Sequence, residues 1–397
     1  MTTDIFGTVA PGWGAVRAAF EANFATTSPD GDVGAGVAIY HRGELVVDLT
    51  GGVFEPGRDR PYDDSTLQIV FSTTKGITAI AVAMCAERGW IDYDAPVAQY
   101  WPEFAGHGKG AVTVAQLLSH QAGLITVDGP ITLADALDLP TITARIADTA
   151  PLWPLGDGHG YHALTFGWLA GELVRRVDPS GRTLGAFVAD EIVDRVGGGA
   201  ELWIGLPESL ESRVSPLIGS LAPKTDDPQV QAMLEMFMGP DSMGGKALFL
   251  GGAFQGDGIF NRRDVHAAEI PAANGITNAR SLARIYAATI GSVDGVRLLS
   301  ADTVDRARTT ITPVGESDKC LIMPTTFGLG FMTYGDFTPY AGPGSFGHAG
   351  AGGSVAFAQP ETGLSFAYVM NKMASNLAGD LRAAGLIAAA NESLAAM

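Results

Sequence analysis

The chain has 397 residues, 46% of them apolar and 17% charged, and a formal net charge of −18. That is a globular composition with room for a large core, in two or three domains or in one domain with a large insertion. So acidic a surface repels phosphate backbones and anionic leaflets, which argues against nucleic acid or a membrane as partner.

No uninterrupted apolar run reaches the roughly eighteen residues of a spanning helix. The N-terminal segment MTTDIFGTVAPGW shows neither a basic n-region nor an apolar h-region, so no secretory signal is expected. Cys85 and Cys320 are too few for a disulfide framework and read as small core residues. A reducing compartment, the cytoplasm, is the expectation.

In chain order, PGWGAVRAAFEANFA has helical periodicity with a proline near its start. GVAIYH and ELVVDL follow, broken at Arg42 and Gly43, and predict an antiparallel hairpin. TLQIVF, residues 66–71, predicts a strand ending at Ser72, where a helix begins and runs to about Arg88, with Gly89 as its stop. From about 90 to 275, helical segments alternate with Gly/Pro-rich loops. Met233, Met236, Met238 and Met243 in this region read as core filler. NARSLARIYAATI predicts a further helix. GSVAFAQ and LSFAYVM flank the turn Pro360–Gly363 as a second hairpin, and SNLAGDLRAAGLIAAANESL is a C-terminal helix. The economical architecture is α+β: an antiparallel sheet from both termini, 1–75 and 275–397, flanked by helices, with a mostly helical domain, 76–274, inserted. The active site is expected at their interface.

Common motifs fail on inspection. PGSFG has Pro343 where a nucleophile elbow requires Gly, and GPDSMGGK has Gly245 where a phosphate loop requires Lys. No HExxH, CxxC or EF-hand pattern supports a metal site, and no cofactor is expected. One pattern survives, Ser72-Thr73-Thr74-Lys75. Residues three apart share a helix face. A helix N-terminus stabilises an alkoxide or oxyanion, and a lysine enclosed in an apolar helix loses its proton more readily and can act as a base. Two other segments join it. GHGYHALTFGWLAGEL carries Tyr161 in a Gly-rich loop before an apolar helix; by itself this reads as a structural tyrosine. GSFGHAGAGGSVAF carries His348 and Gly350 before a strand, where glycines let a carbonyl approach a backbone N–H; by itself this reads as a flexible loop.

Together these segments resemble the serine β-lactamase and penicillin-binding superfamily, and within it the class C β-lactamase-like family VIII carboxylesterases. The motifs are Ser72-Thr73-Thr74-Lys75, Tyr161-His162-Ala163 and His348-Ala349-Gly350, with LLSHQAGL (117–124), 151–176 and 274–287 looking like the same family. The resemblance implies acyl transfer to Ser72. Tyr161, its pKa lowered by Lys75, or Lys75 itself takes the serine proton. The N–H groups of Ser72 and Ala351, the latter on the third-motif strand, hold the oxyanion. His348, Gly350 and Trp153 are expected to contact substrate, although Trp153 reads equally as a loop anchor. Ala163 stands where the β-lactamase pattern has Asn, and His348 where it has Lys. Both departures favour a small-molecule, short-chain ester over a carboxylated lactam. The rival readings are a β-lactamase or D-alanyl peptidase, an acyltransferase, and a non-catalytic binding relative. His120 reads as a satisfied structural histidine, and Asp257 with Asn261-Arg262-Arg263-Asp264 as a surface loop near the cleft.

Overall fold

The computed structural model describes residues 3–25, 31–220, 225–374 and 380–397. In chain order the strands are β1 (Ile5–Val9), β2 (Gly34–His41), β3 (Glu44–Gly52), β4 (Gln68–Ile69), β5 (Leu202–Trp203), β6 (Ile276–Thr277), β7 (Met332–Thr333), β8 (Phe346–Ala349), β9 (Val355–Gln359) and β10 (Leu364–Met370). The helices that position the site are α1 (Gly14–Ala25), α2 (Thr74–Glu87), α3 (Thr165–Val177), α4 (Pro228–Met238), α5 (Ala279–Ile290) and α6 (Leu381–Ala395).

The main sheet has the order β1-β3-β2-β10-β9-β8-β7, and all its pairs are antiparallel. Both chain ends therefore build one sheet, as the two hairpins require. The first hairpin turns on Arg42 and Gly43, both at positive φ (51° and 86°), the backbone that matches strand twist in a two-residue loop. Strand β2 is buried along both faces. Val37 and Ile39 pack with Trp13, just before α1, and with Phe20 and Leu386 from α1 and α6, while Ala38 and Tyr40 pack on the side of Leu282 and Tyr286 from α5. A strand covered on both faces reads as a continuous apolar run rather than an alternation.

Between β4 and β6 the chain is mostly helical. Helix α2 lies at its centre, with every residue from Thr74 to Cys85 buried. It ends at Arg88, and Gly89 follows at φ 72°. The strand expected over 66–71 is cut to two residues, because Phe71 takes a positive φ of 44° and turns the chain into the helix. Residues 375–379, the start of the expected C-terminal helix, lie outside the described residues; the helix itself opens at Leu381, N-capped by the Asp380 carboxylate. The methionine tract is not core filler. Met233 and Met236 are 49% and 61% exposed, and only Met238 and part of Met243 are covered, because α4 lies on the surface.

Candidate active site

Ser72 lies in a short 3₁₀ turn, Phe71–Thr73, that feeds α2. Positive φ at a bulky Phe71 is strained backbone directly before the serine. Lys75, one turn on, is fully buried. Its Nζ lies 3.0 Å from Ser72 Oγ, 2.7 Å from the carbonyl of Ala163 and 3.0 Å from the carbonyl of Ala272. Among the described residues no carboxylate pairs with it, and burial pushes its pKa well below the usual lysine value. A neutral amine has two N–H bonds and one lone pair. Two carbonyls can take the N–H bonds, leaving the lone pair to the serine hydroxyl.

The carbonyl of Ala272 comes from a rigid loop. Asn274 ties it through Ile270, Val265 and Ala268, Thr78 donates to the Pro271 carbonyl at 2.6 Å, and Gly167 of α3 packs so closely that a Cβ there would meet Pro271 and Ala272 at under 3 Å. Ala272 as a partner of Lys75 is not legible in the sequence, because a backbone carbonyl carries no residue-type signal.

The Tyr161 hydroxyl faces Ser72, and Lys75 Nζ sits 4.7 Å from the centre of its ring. The expectation that Lys75 lowers the Tyr161 pKa is corrected. Burial raises it, Asp318 adds to the rise, and only Ser72 opposes. The phenol therefore stays protonated and can donate, while Lys75 is the group whose environment favours the neutral base.

The third motif meets the serine turn through a polar clamp. Ser354 Oγ donates to the Val70 carbonyl at 2.8 Å and lies 3.1 Å from Thr73 Oγ1. A Cβ on Gly350 would strike both Val70 and Ser354, so only glycine allows this approach. Ala351 lies just past the end of β8, in the turn Ala351–Gly353, rather than on the strand. Among the described residues no backbone acceptor takes the N–H of Ser72 or of Ala351.

Comparison with known proteins matches this arrangement to one family, the family profile described as beta-lactamase, over residues 24–391. The chain belongs to the beta-lactamase family. It is 36% identical to the esterase/beta-lactamase LipL of Mycobacterium tuberculosis, over 94% of this chain and 84% of that one. Among solved structures, a family VIII carboxylesterase superposes with a TM-score of 0.85 at 36% identity, covering 98% of this chain and 100% of the other. A penicillin-binding protein homologue from Caulobacter crescentus gives the same TM-score at 39% identity and the same coverage. The protein is a serine hydrolase with the fold of that family.

Within this beta-lactamase-family site, the remaining expected residues fall into place unevenly. Ala163 contributes through its backbone, its carbonyl holding Lys75. His348 is fully buried, so it is not presented to a substrate. Its Nδ1–H donates to the Ala349 carbonyl at 2.7 Å, its Nε2 is buried without a partner among the described residues, and its ring stacks 6.0 Å from that of Tyr161. Burial, seconded by Lys75, holds its pKa well below the usual histidine value. Trp153 is also buried, against Gly160 and His162, and anchors the loop beneath the second motif.

His120 is only half satisfied. Its Nδ1 accepts from the His162 N–H at 3.1 Å, while its Nε2 is buried without a partner among the described residues. Asp257 and Asn261 line an apolar cleft of about 330 Å³ together with Phe71, Phe254 and Met238, and Arg262 pairs with Asp264 at the surface. Among the described residues no group of His, Cys, Asp or Glu is arranged to hold a metal, and no helix is long and apolar enough to cross a membrane.

Proposed function

We propose that the protein is a serine carboxylesterase that hydrolyses short-chain, uncharged acyl esters through an acyl-enzyme on Ser72. The observation that carries the reading is the buried Lys75 amine, held by two carbonyls and set 3.0 Å from Ser72 Oγ. Lys75 takes the Ser72 proton as Oγ attacks the ester carbon. The N–H groups of Ser72 and Ala351 receive the oxyanion. The C–O bond to the alcohol breaks, and Tyr161 gives its proton to the leaving oxygen. The Lys75 ammonium then returns a proton to Tyr161, and water, activated by the same pair, releases the acid.

The departures from the lactamase pattern support a neutral substrate. The third motif offers a buried, uncharged His348 in place of a cation, and the described residues lining the neighbouring cleft include Glu235 and Asp257 but neither Lys nor Arg. A carboxylate entering there meets no opposite charge. The relatives that bear esterase names agree with this reading. Both cysteines are free and buried, which suits a cytoplasmic protein.

The test is kinetic. Ser72→Ala abolishes hydrolysis of short acyl esters and labelling by a phosphonate, and Tyr161→Phe loses roughly a hundredfold or more. Turnover of a chromogenic cephalosporin faster than of a nitrophenyl ester would reverse the substrate assignment. Unchanged ester turnover in Ser72→Ala would end the reading altogether.

A further inference from the structure

The catalytic cluster explains where the Tyr161 hydroxyl goes but not what fixes the tyrosine there. Asp318, 1% exposed, reaches it from a distant segment. Its Oδ1 accepts the N–H of Tyr161 at 3.0 Å, of Cys320 at 2.7 Å and of Leu321 at 2.9 Å, and its Oδ2 accepts the Thr325 hydroxyl at 3.0 Å. The single hydroxyl proton of Thr325 is thereby used, so its oxygen must accept the His159 Nε2–H that lies 2.9 Å away. His159 Nε2 is itself 3.8 Å from Asp318 Oδ2. A second strap joins the same segments, the Lys319 N–H to the His159 carbonyl at 2.9 Å. The bonds within 318–325 close a local loop. The bond to the Tyr161 backbone leaves that loop and ends on the residue whose side chain meets Ser72.

We propose that Asp318 is a positioning residue for Tyr161, clamping its backbone so that the phenol sits on Ser72 Oγ, ready to protonate the leaving alkoxide. This rests on Tyr161 being the proton donor. The groups around its ring are Lys75, His120, His348, Phe327 and Ser72, with Tyr340 farther in. None of these side chains bonds the Tyr161 N–H; that bond goes to Asp318, while His120 takes the N–H groups of the flanking Gly160 and His162. Its negative charge also acts in the useful direction, holding the phenol in its protonated form.

The experiment compares Asp318→Ala, Asp318→Asn, Tyr161→Phe and the double variant Asp318→Ala/Tyr161→Phe on an alkyl ester and a nitrophenyl ester of the same acid, with thermal unfolding followed in parallel. An alkoxide needs a proton to leave; a nitrophenolate does not. Asp318→Ala lowers kcat/KM on the alkyl ester by roughly tenfold to a hundredfold and on the nitrophenyl ester far less. Added to Tyr161→Phe it costs no more than about threefold further, because the two act as one unit. Asp318→Asn keeps an oxygen for the three N–H groups and recovers most of the loss. Should Asp318→Ala not fold, Asp318→Ser, whose shorter side chain withdraws the acceptor from the Tyr161 N–H, takes its place in the wild-type and Tyr161→Phe backgrounds, with the same outcomes expected. Equal losses on both esters, or losses that simply add in the double variant, overturn the clamp. Absence of leaving-group dependence in Tyr161→Phe itself overturns the proton-donor reading, and the clamp with it.

Discussion

Lys75 and Arg382 are both buried basic side chains near the candidate site, and their surroundings drive them in opposite directions. Lys75 faces two carbonyls and a hydroxyl, and burial pushes its pKa down. Arg382 is opposed by the same burial, but hydrogen bonds to Asp380 and the charge of Asp32 hold its pKa above the usual arginine value. Its guanidinium lies 2.6 Å from Asp380 and 3.0 Å from Asp32, and its Nη2 donates to the Gly352 carbonyl at 2.9 Å, in the turn that carries Ala351. Burial without a counterion favours a neutral amine; burial with two carboxylates makes a permanent charge that fastens helix α6 to the Ala351–Gly353 turn. The difference between the proposed base and the staple thus lies in the partners rather than in the depth.

Removing each basic group gives the sharpest contrast. Lys75→Met loses ester hydrolysis by roughly a hundredfold or more, since among the described residues Lys75 is the amine within hydrogen-bond reach of Ser72 Oγ. Its thermal midpoint stays at or above that of the wild type, because an apolar side chain of similar volume replaces a costly buried amine. Steady-state kinetics and a thermal melt on one preparation decide it; wild-type turnover in Lys75→Met removes the base from the mechanism. Arg382→Met reverses the pattern. It strands Asp32 and Asp380 in the interior without their cation, which costs about 3–5 kcal/mol of stability. Urea unfolding reads that directly. A midpoint within error of the wild type would show that the network contributes nothing.

These two basic residues also mark how far the sequence could be read. Lys75 is legible because its spacing from Ser72 places both on one helical turn and because the flanking apolar run announces burial. The hairpins at Arg42-Gly43 and Pro360–Gly363 are legible for a similar reason, since turn chemistry and strand pattern are local. Arg382, Asp32, Asp318 and the carbonyl of Ala272 are not. Each works through partners far away in the chain, and a charged residue in a sequence looks the same whether it pairs with water or with a buried carboxylate. The exposed face of α4 is missed for a related reason. Methionine is apolar in composition, but only tertiary packing decides whether α4 lies inside or on the lip of a cleft.

The pH dependence of stability runs on the same contrast. His120, His162 and His348 are buried without a counterion, like Lys75, and burial lowers the pKa of each, that of His162 to about 4. The unfolded chain takes up these protons near 6.5, the folded protein only at much lower pH. Stability is therefore full above about pH 6.5 and falls as the pH drops towards 4, by about 1.4 kcal/mol per pH unit for each proton the unfolded state gains alone. Asp32 acts the other way. Burial raises its pKa from 3.8 to about 6 against the pull of Arg382, so the folded state takes its proton first and gains stability as the pH falls between those values. Three histidines outweigh one carboxyl, and the urea midpoint falls between pH 7 and 5; a flat or rising midpoint would mean that the histidines are not held neutral. Arg382→Met refines the test. Without the guanidinium the Asp32 pKa rises further, its compensation begins at higher pH, and the variant, though less stable at pH 7, loses less of its remaining stability on acidification than the wild type does.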